Sequence, residues 1–461
     1  MESSVKIIGA GLAGCEAAWQ CARRGVAVDL YEMRPRRSTP AHQTADFAEL
    51  VCSNSLKSQS ENTAPWLLKE EMRRADSLLM EIARATAVPA GHALAVDRAL
   101  FASQVTEAIS HHPHIRIHRE EVTRIGQDQI TIVASGPLTS DALARELARL
   151  GGSDHLFFYD SISPIVEAES IDRSKVYLGA RYGKGSADYI NCPLSGAEYG
   201  RFYDALVAAE SAGGHDWENL NYFEACLPVE ELARRGRDTL RFGPMKPVGL
   251  VDPRTGKRPY AVVQLRQENL RADSYNLVGF QNHLRFPEQQ RVFRLIPGLE
   301  KAQFLRYGQI HRNTYINAPA LLRPTLQMKT QPRVFAAGQI SGVEGYVESM
   351  ATGLLAGLHA AALARGAEPL AAPLATAFGS LVRYLTQSDS RNFQPANITF
   401  DLLPPLEQKV RDRQLRHRQQ CERALGEVEL WLREIEGRFL PQRAEPPTRI
   451  GPARAGAKFR R

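Results

Sequence analysis

Three glycines and a carboxylate carry the first chemistry the chain offers. Gly9-Ala10-Gly11-Leu12-Ala13-Gly14 is a G-x-G-x-x-G turn, and Glu32 follows 18 residues after Gly14. In such a turn the first glycine allows a tight bend, the second lets backbone approach a pyrophosphate, and the third lets a helix sit close on a sheet. The helix N-terminus then offers N–H groups and partial positive charge to phosphate oxygens. Glu32 is placed to accept hydrogen bonds from ribose hydroxyls and to repel a 2′-phosphate, so FAD or NAD is expected rather than NADP.

The elements that must position these residues surround them in order. Val5 to Ile8 reads as a strand, an Ala-rich helix follows the turn, and a second strand, Val26 to Tyr31, ends on Glu32. Pro35 to Ser60 is irregular, and a polar loop of that length is usually functional. Helices are expected from about Trp66 to Ala85 and from Ala99 to Ser110, with short strands at His114 to His118 and Glu121 to Ile125. Ile130 to Gly136 is an apolar strand ending in small residues, similar to the ATG segment of flavoprotein reductases. A helix from Leu138 to Leu150 and a strand from His155 to Tyr159 follow.

Residues 161 to about 310 turn aromatic, Pro-rich and Arg-rich, with strand candidates at Ala261 to Leu265 and Tyr275 to Phe280. From Val334 the nucleotide-fold pattern returns as strand, Gly-rich turn and long small-residue helix. Gly338, Gln339, Gly342 and Gly345 fall where the late helix of two-part flavoproteins aims its N-terminus at the flavin ring. Its partial positive charge there stabilises reduced flavin, which favours FAD over NAD alone. A charged helix is expected over Leu406 to Leu440, carrying Lys409, Arg411, Arg413, Arg416, Arg418 and Arg423.

The fold class expected is therefore α/β, with a Rossmann-like FAD-binding domain of the glutathione-reductase type and an inserted α+β domain. Residues 1–160 form the first part of the FAD-binding domain, 161–310 the insert, and 311–440 the second part with C-terminal helices. Residues 441–461, with six basic residues against one acid, form a basic tail expected to be disordered.

Composition narrows the function classes. The 461 residues are 43% hydrophobic and 24% charged, an ordinary globular balance with room for two or three cores. No apolar run of membrane-spanning length is expected and the N-terminus enters a strand at once, so the expected location is cytoplasmic. The six cysteines (15, 21, 52, 192, 226 and 421) form no C-x-x-C pair and no metal spacing, which argues against a disulfide framework, a metal site and a dithiol reductase. A net charge of +7 and a pI near 9.1 suggest a polyanionic partner.

Several long strings coincide with one family: IGAGLAGCEAAW, LYEMRP, PAHQTADFAELVCSNSL, LLKEEMR, VPAGHALAVDR, NCPLS, YFEACLPVEELA, GFQNHLRFPEQQRVFRLIPGLE, HRNTYINAP and AAGQISGVEGYVESMATGLLAG. Over about residues 5 to 400 the chain resembles the folate- and FAD-dependent tRNA (uracil-5-)-methyltransferases, which make ribothymidine in the tRNA T-loop. The resemblance implies that 5,10-methylenetetrahydrofolate supplies the one-carbon unit and NAD(P)H reduces the flavin. By motif it carries a catalytic role onto Cys52 and Cys226, leaving their division of labour open.

The chemistry also asks for such residues. C5 of uracil is a poor nucleophile until a thiolate adds at C6, and a second acid/base group must then take the C5 proton. Cys226 precedes Leu-Pro-Val-Glu-Glu, a helix start that would lower a thiol pKa, and Cys52 sits in the long polar loop. For Cys192 a buried structural role is expected. Arg234, Arg235, Arg237, Arg241 and the C-terminal helix offer phosphate-contacting charge, while Tyr222, Phe223 and Tyr346 could stack on a flipped uracil. The alternatives are the same chemistry on a ribosomal RNA uracil, or an NAD(P)H-dependent flavin oxidoreductase without an RNA substrate. A wobble-uridine modifier would need a longer helical C-terminal domain.

Overall fold

Five short strands lie parallel in one sheet, in the order Val334–Ala336, Ile130–Val133, Val5–Ile8, Val28–Tyr31 and Ile115–His118. The computed structural model describes residues 4–439 apart from 40, 127, 152–155, 184–185 and 213–226. Cys226, Tyr222, Phe223 and the tail 441–461 therefore lie outside the described residues.

Strand Val5–Ile8 comes first in the chain and sits in the centre, with Val5 opposite Val28 on one side and Ile130 on the other. The chain builds outward one way through Val28–Tyr31, then returns to the other side with Ile130–Val133 and Val334–Ala336. Strand order reverses beside Val5–Ile8, and open parallel sheets bind ligands at the carboxyl ends of the strands at such a reversal. Ile130–Val133 and Val334–Ala336 are buried throughout and read as apolar runs because both faces are covered, whereas Val28–Tyr31 and the edge strand Ile115–His118 carry polar residues at exposed or partly exposed positions.

One face is covered by the helices Leu12–Ala22 and Tyr346–Ala364 packed on each other. At Gly353 a Cβ would come 2.2 Å from the Ala13 carbonyl oxygen, so only a glycine allows this approach. The helix Tyr346–Ala364 corrects the sequence expectation about apolar runs: it is long and apolar enough to cross a membrane, yet most of it is buried inside the protein. Its low polarity reflects a core position.

A second sheet is antiparallel, with six strands in the order Tyr177–Gly179, Tyr189–Leu194, Ala261–Gln267, Ser274–Leu277, Ile165–Glu167 and Phe304–Arg306. It has its own core around Phe202, Phe280, Phe293 and Leu277. An antiparallel ribbon, Leu156–Ser161 against Ile310–Tyr315, brackets this stretch of chain. A small third sheet pairs Ser55–Ser58 with Ala93–Val96 and that strand with Ala87–Val88, giving the irregular loop a regular end.

Three element expectations are corrected. The helix read over Trp66 to Ala85 is two helices, Ala64–Arg74 and Leu78–Ala85. The buried Glu16 carboxylate holds the break by accepting from Ser77 Oγ at 2.7 Å and Leu79 N–H at 3.2 Å, a contact no local pattern encodes. Glu121 to Ile125 is not a strand; Glu121 pairs with Arg37, and Ile125 N–H donates to Glu146. The C-terminal helix runs Arg413–Phe439, leaving Lys409 and Arg411 before it. Pro404 and Pro405 lie upstream, and the Asp412 carboxylate accepts from Leu415 N–H at 2.6 Å as an N-cap.

Candidate functional site

The turn after the first strand is shaped by contacts that exclude side chains. Gly9 has φ +101°, and a Cβ on Gly14 would lie 1.8 Å from the Gly9 carbonyl oxygen. Gly11 is the opposite case: a Cβ there would meet nothing within 4 Å. Gly11 caps the helix Leu12–Ala22 without a side-chain hydrogen bond. The bare helix start opens on a cleft. A phosphate group fits there by charge and by space, since the first-turn N–H groups of a helix have no intrahelical partner.

The cleft gathers residues distant in sequence. Gly9, Gly11, Leu12, Ala13 and Glu32 line one part; Gly338 and Gln339 line another, with Ser135 and Gly136 between. Ala10, Gly14, Gly342 and Gly345 do not line it. Ala10 contributes its N–H to Glu32 Oε2 at 3.1 Å. Gly14 seats the helix. Gly342 packs against Phe393, and Gly345 immediately precedes the helix Tyr346–Ala364.

Glu32 also accepts from the backbone N–H and Nε of Arg34, each at 3.0 Å, and Arg34 reaches on to Glu49 at 3.0 Å. Burial pushes the Glu32 carboxyl up, but the Arg34 guanidinium and these hydrogen bonds outweigh it and hold the group below the usual carboxylate range. An ionised carboxylate has about four acceptor positions, so Glu32 keeps capacity for a ribose hydroxyl.

Cys52 lines the same cleft, as does Tyr346. The Tyr346 hydroxyl accepts from Cys52 N–H at 2.8 Å and from Ser53 N–H at 3.2 Å, fixing the backbone of the cysteine loop. Burial pushes the Tyr346 phenol up, and the Cys52 charge adds to this, so the hydroxyl stays protonated and retains one proton to donate. Arg98 and Arg306 stand within electrostatic reach of Cys52. Cations near a thiol favour the thiolate, the nucleophilic form.

The antiparallel sheet holds the loop from its other side. On strand Ala261–Gln267, Arg266 donates to Ser53 Oγ at 2.8 Å and to Asn54 Oδ1 at 2.9 Å. Arg98 pairs with Glu268 at 2.6 Å and donates to the Leu50 carbonyl at 2.8 Å. Further along, Lys57 bridges the fully buried Glu348, at 2.6 Å, and Asn397.

The remaining described cysteines sit elsewhere. Cys15, Cys21, Cys192 and Cys421 are buried, and burial raises each thiol, Cys21 and Cys421 to about 12. Among the described residues, Cys52 is the thiol that faces the cleft. No group of three or more His, Cys, Asp or Glu among them could hold a metal ion.

The model of the family described as "Glucose inhibited division protein A" matches residues 4–368. A relative from Koribacter versatilis (strain Ellin345), named Methylenetetrahydrofolate--tRNA-(uracil-5-)-methyltransferase TrmFO, is 70% identical over 437 residues, covering 94% of this chain and 98% of the relative. The chain belongs to the TrmFO family. Relatives with the same name from Solibacter usitatus (strain Ellin6076) and Geobacter sulfurreducens (strain ATCC 51573 / DSM 12127 / PCA) are 64% and 58% identical, over 93% and 94% of this chain and 98% and 100% of their own lengths. Among solved structures, Aquifex aeolicus GidA in its form II crystal aligns with a TM-score of 0.70 at 16% identity, over 96% of this chain and 74% of that one. That likeness shows the shared fold.

Within the TrmFO-family chain, sequence reasoning missed the residues that place the cysteine loop. Arg98, Arg266, Glu268, Asn54 and the Tyr346 hydroxyl meet across separations of up to 294 residues. Arg98 stands in the family string VPAGHALAVDR, so a signal existed, but it named no partner.

Proposed function

We propose that this chain methylates C5 of a uracil in the T-loop of tRNA, taking the one-carbon unit from 5,10-methylenetetrahydrofolate. FAD is the proposed bound cofactor, with NAD(P)H as reductant, and the cytoplasm is the proposed location. The observation that carries this reading is the meeting of Cys52 with the Gly9–Gly14 turn and the Gly338–Gln339 segment in one cleft. The proposed holders of FAD are the start of helix Leu12–Ala22 for its pyrophosphate, Glu32 for a ribose, and the Gly338–Gln339 segment for the ring. Bound flavin, once reduced, supplies the hydride equivalent that completes the methyl group.

The protein's own part is nucleophilic and acid/base. A cysteine thiolate adds to uracil C6, and the electron pair released toward C5 forms the bond to the one-carbon unit. A base then takes the C5 proton as the bond from the one-carbon unit to its amine carrier breaks, giving an exocyclic methylene, and the thiolate leaves C6 once that methylene has been reduced to methyl, which restores the C5=C6 double bond. Cys52 and Cys226 are the proposed pair for these two tasks. The cations Arg98 and Arg306 stand within electrostatic reach of Cys52, and Tyr346 orients its backbone. The antiparallel-sheet region, as the proposed insert 161–310, faces the RNA and holds the cysteine loop through Arg266.

The test is methyl transfer to an unmodified tRNA transcript by the purified protein with NADPH, with methylenetetrahydrofolate and S-adenosylmethionine supplied separately. Methylation of a T-loop uridine is expected with folate alone. Dependence on S-adenosylmethionine would overturn the reading, and methylation of ribosomal RNA alone would replace the substrate while keeping the chemistry.

A further inference from the structure

Six of the thirteen large apolar side chains that stand exposed among the described residues fall in two segments, 178–182 and 242–260, that are tied to each other by hydrogen bonds along the antiparallel sheet: Leu178, Tyr182, Phe242, Val248, Val251 and Tyr260. Phe242 is 80% exposed, and Tyr260 39%. Scattered single exposures need no explanation, but a cluster marks a contact surface. The same stretch is strongly cationic, residues 234–260 holding eight Arg or Lys against two Asp. Among the described residues, the exposed side chains of Lys246, Lys257 and Arg258 make no ion pair, whereas Arg241 and Arg254 are held by Asp238 and Asp252.

The face is built rigidly. Arg241 donates to the Tyr260 carbonyl at 3.0 Å and lies 3.7 Å from the Tyr260 ring centroid. Arg181 holds the neighbouring loop by donating to the Lys246 and Val248 carbonyls at 2.6 and 3.0 Å. Tyr182 N–H donates to the Gly249 carbonyl at 2.6 Å, and an Asp252–Lys257 bridge closes the cationic hairpin. Aromatic rings held beside cations suit a nucleic acid, whose bases stack and whose phosphates pair. A second copy of this chain fits poorly, because a two-fold contact would bring the cationic faces against each other.

We propose that the face formed by Phe242, Tyr260, Lys246, Lys257 and Arg258 is a second RNA-contacting surface, which holds the body of the tRNA while its target base enters the cleft. The surface and the cysteine loop are two ends of one element. Strand Ala261–Gln267 starts next to Tyr260 and delivers Arg266 to Ser53 and Asn54, and six residues of strand put the two ends about 20 Å apart. The surface therefore contacts RNA away from the reacting base and sets affinity rather than chemistry. This inference rests on the reading of RNA as substrate.

The test combines Lys246→Glu, Lys257→Glu and Arg258→Glu in the full chain, with Phe242→Ala as a separate variant; thermal midpoint and bound flavin at the wild-type level are the fold control. For full-length unmodified tRNA the triple variant should raise KM at least about tenfold with kcat within about twofold, and flatten the slope of log affinity against log salt by two to three units. Phe242→Ala should weaken tRNA binding about tenfold with the salt slope unchanged. A short hairpin carrying only the target loop should lose much less in either variant. Unchanged tRNA affinity, equal losses for hairpin and tRNA, or a loss confined to kcat would each overturn the proposal. So would unchanged RNA binding with a change of oligomeric state, which would make the face a contact between copies. If the wild-type protein binds and methylates no RNA, the functional reading fails first and this surface falls with it.

Discussion

Where the parallel sheet ends, Gly9 and Gly11 bring bare backbone to the cleft and Gly14 seats the helix behind them; at the start of strand Ala261–Gln267, Phe242 and Tyr260 are exposed beside three cations that make no ion pair among the described residues. The first region works through what it lacks. Its N–H groups and close approaches act only while no Cβ intervenes, so its tolerance for substitution is small. The second works through long side chains on a fixed backbone, where each contact is worth little alone and several add. Between them lies the cysteine loop, held from one side by the Tyr346 hydroxyl and from the other by Arg266 and the Arg98–Glu268 pair. One region makes a rigid socket, the other is the proposed grip, and the Cys52 thiol sits between the elements that hold its loop.

The comparison can be broken most sharply at that seam. Cys52→Ala is expected to lower methyl transfer by at least about a thousandfold while flavin stays bound, measured by methyl incorporation and visible absorbance. Full activity in that variant would remove Cys52 from the chemistry. Next in size is Gly14→Ala, which forces a carbon to 1.8 Å from the Gly9 carbonyl. It should cost about 3 kcal/mol or more and release the flavin, seen as a lowered thermal midpoint and colourless protein. A yellow variant of normal stability would show that the socket yields after all.

Smaller effects sharpen the picture. Glu268→Gln removes the charge that compensates buried Arg98, so a loss of about 2 kcal/mol in urea unfolding is expected, with a parallel fall in kcat as the cysteine loop loosens. Adding Arg98→Met should recover part of the stability and none of the kcat. Smallest is Glu32→Gln, about 1 kcal/mol at neutral pH. The Glu32 carboxyl is held below its ordinary value of 4.5, so its stabilisation is present above pH 4.5 and is lost as pH falls through the depressed folded value. The variant should lack that part of the acid-unfolding limb and bind flavin more weakly at pH 7. An identical acid limb would mean that Arg34 does not carry the effect.

The nucleotide-binding unit was legible because strand, turn, helix and carboxylate are adjacent in sequence, and each constraint is local: a positive φ at Gly9, a close approach at Gly14, a strand ending at Glu32. The parallel register of Ile130–Val133 beside Val5–Ile8 matched an apolar run that ends in small residues. The helix break at Ser77 was not legible, because its cause is Glu16, 61 residues earlier. The two charged positions that fell outside the C-terminal helix were misplaced for a related reason: composition marks a helical face, while a cap such as Asp412 marks its start.

The sequence by itself determined that a dinucleotide fold is present, where its turn lies, and, through long family strings, the chemistry expected of two cysteines. Tertiary structure alone decided which elements meet. It brought Tyr346 to the backbone of Cys52, Arg266 to Ser53, and Phe242, Tyr260 and the free cations to one face. Local patterns fix backbone geometry because hydrogen bonding and steric exclusion act over a few residues. Burial, ion pairing and surface clustering depend on chain segments that become neighbours only when both cores are packed, and their energies do not exist before that.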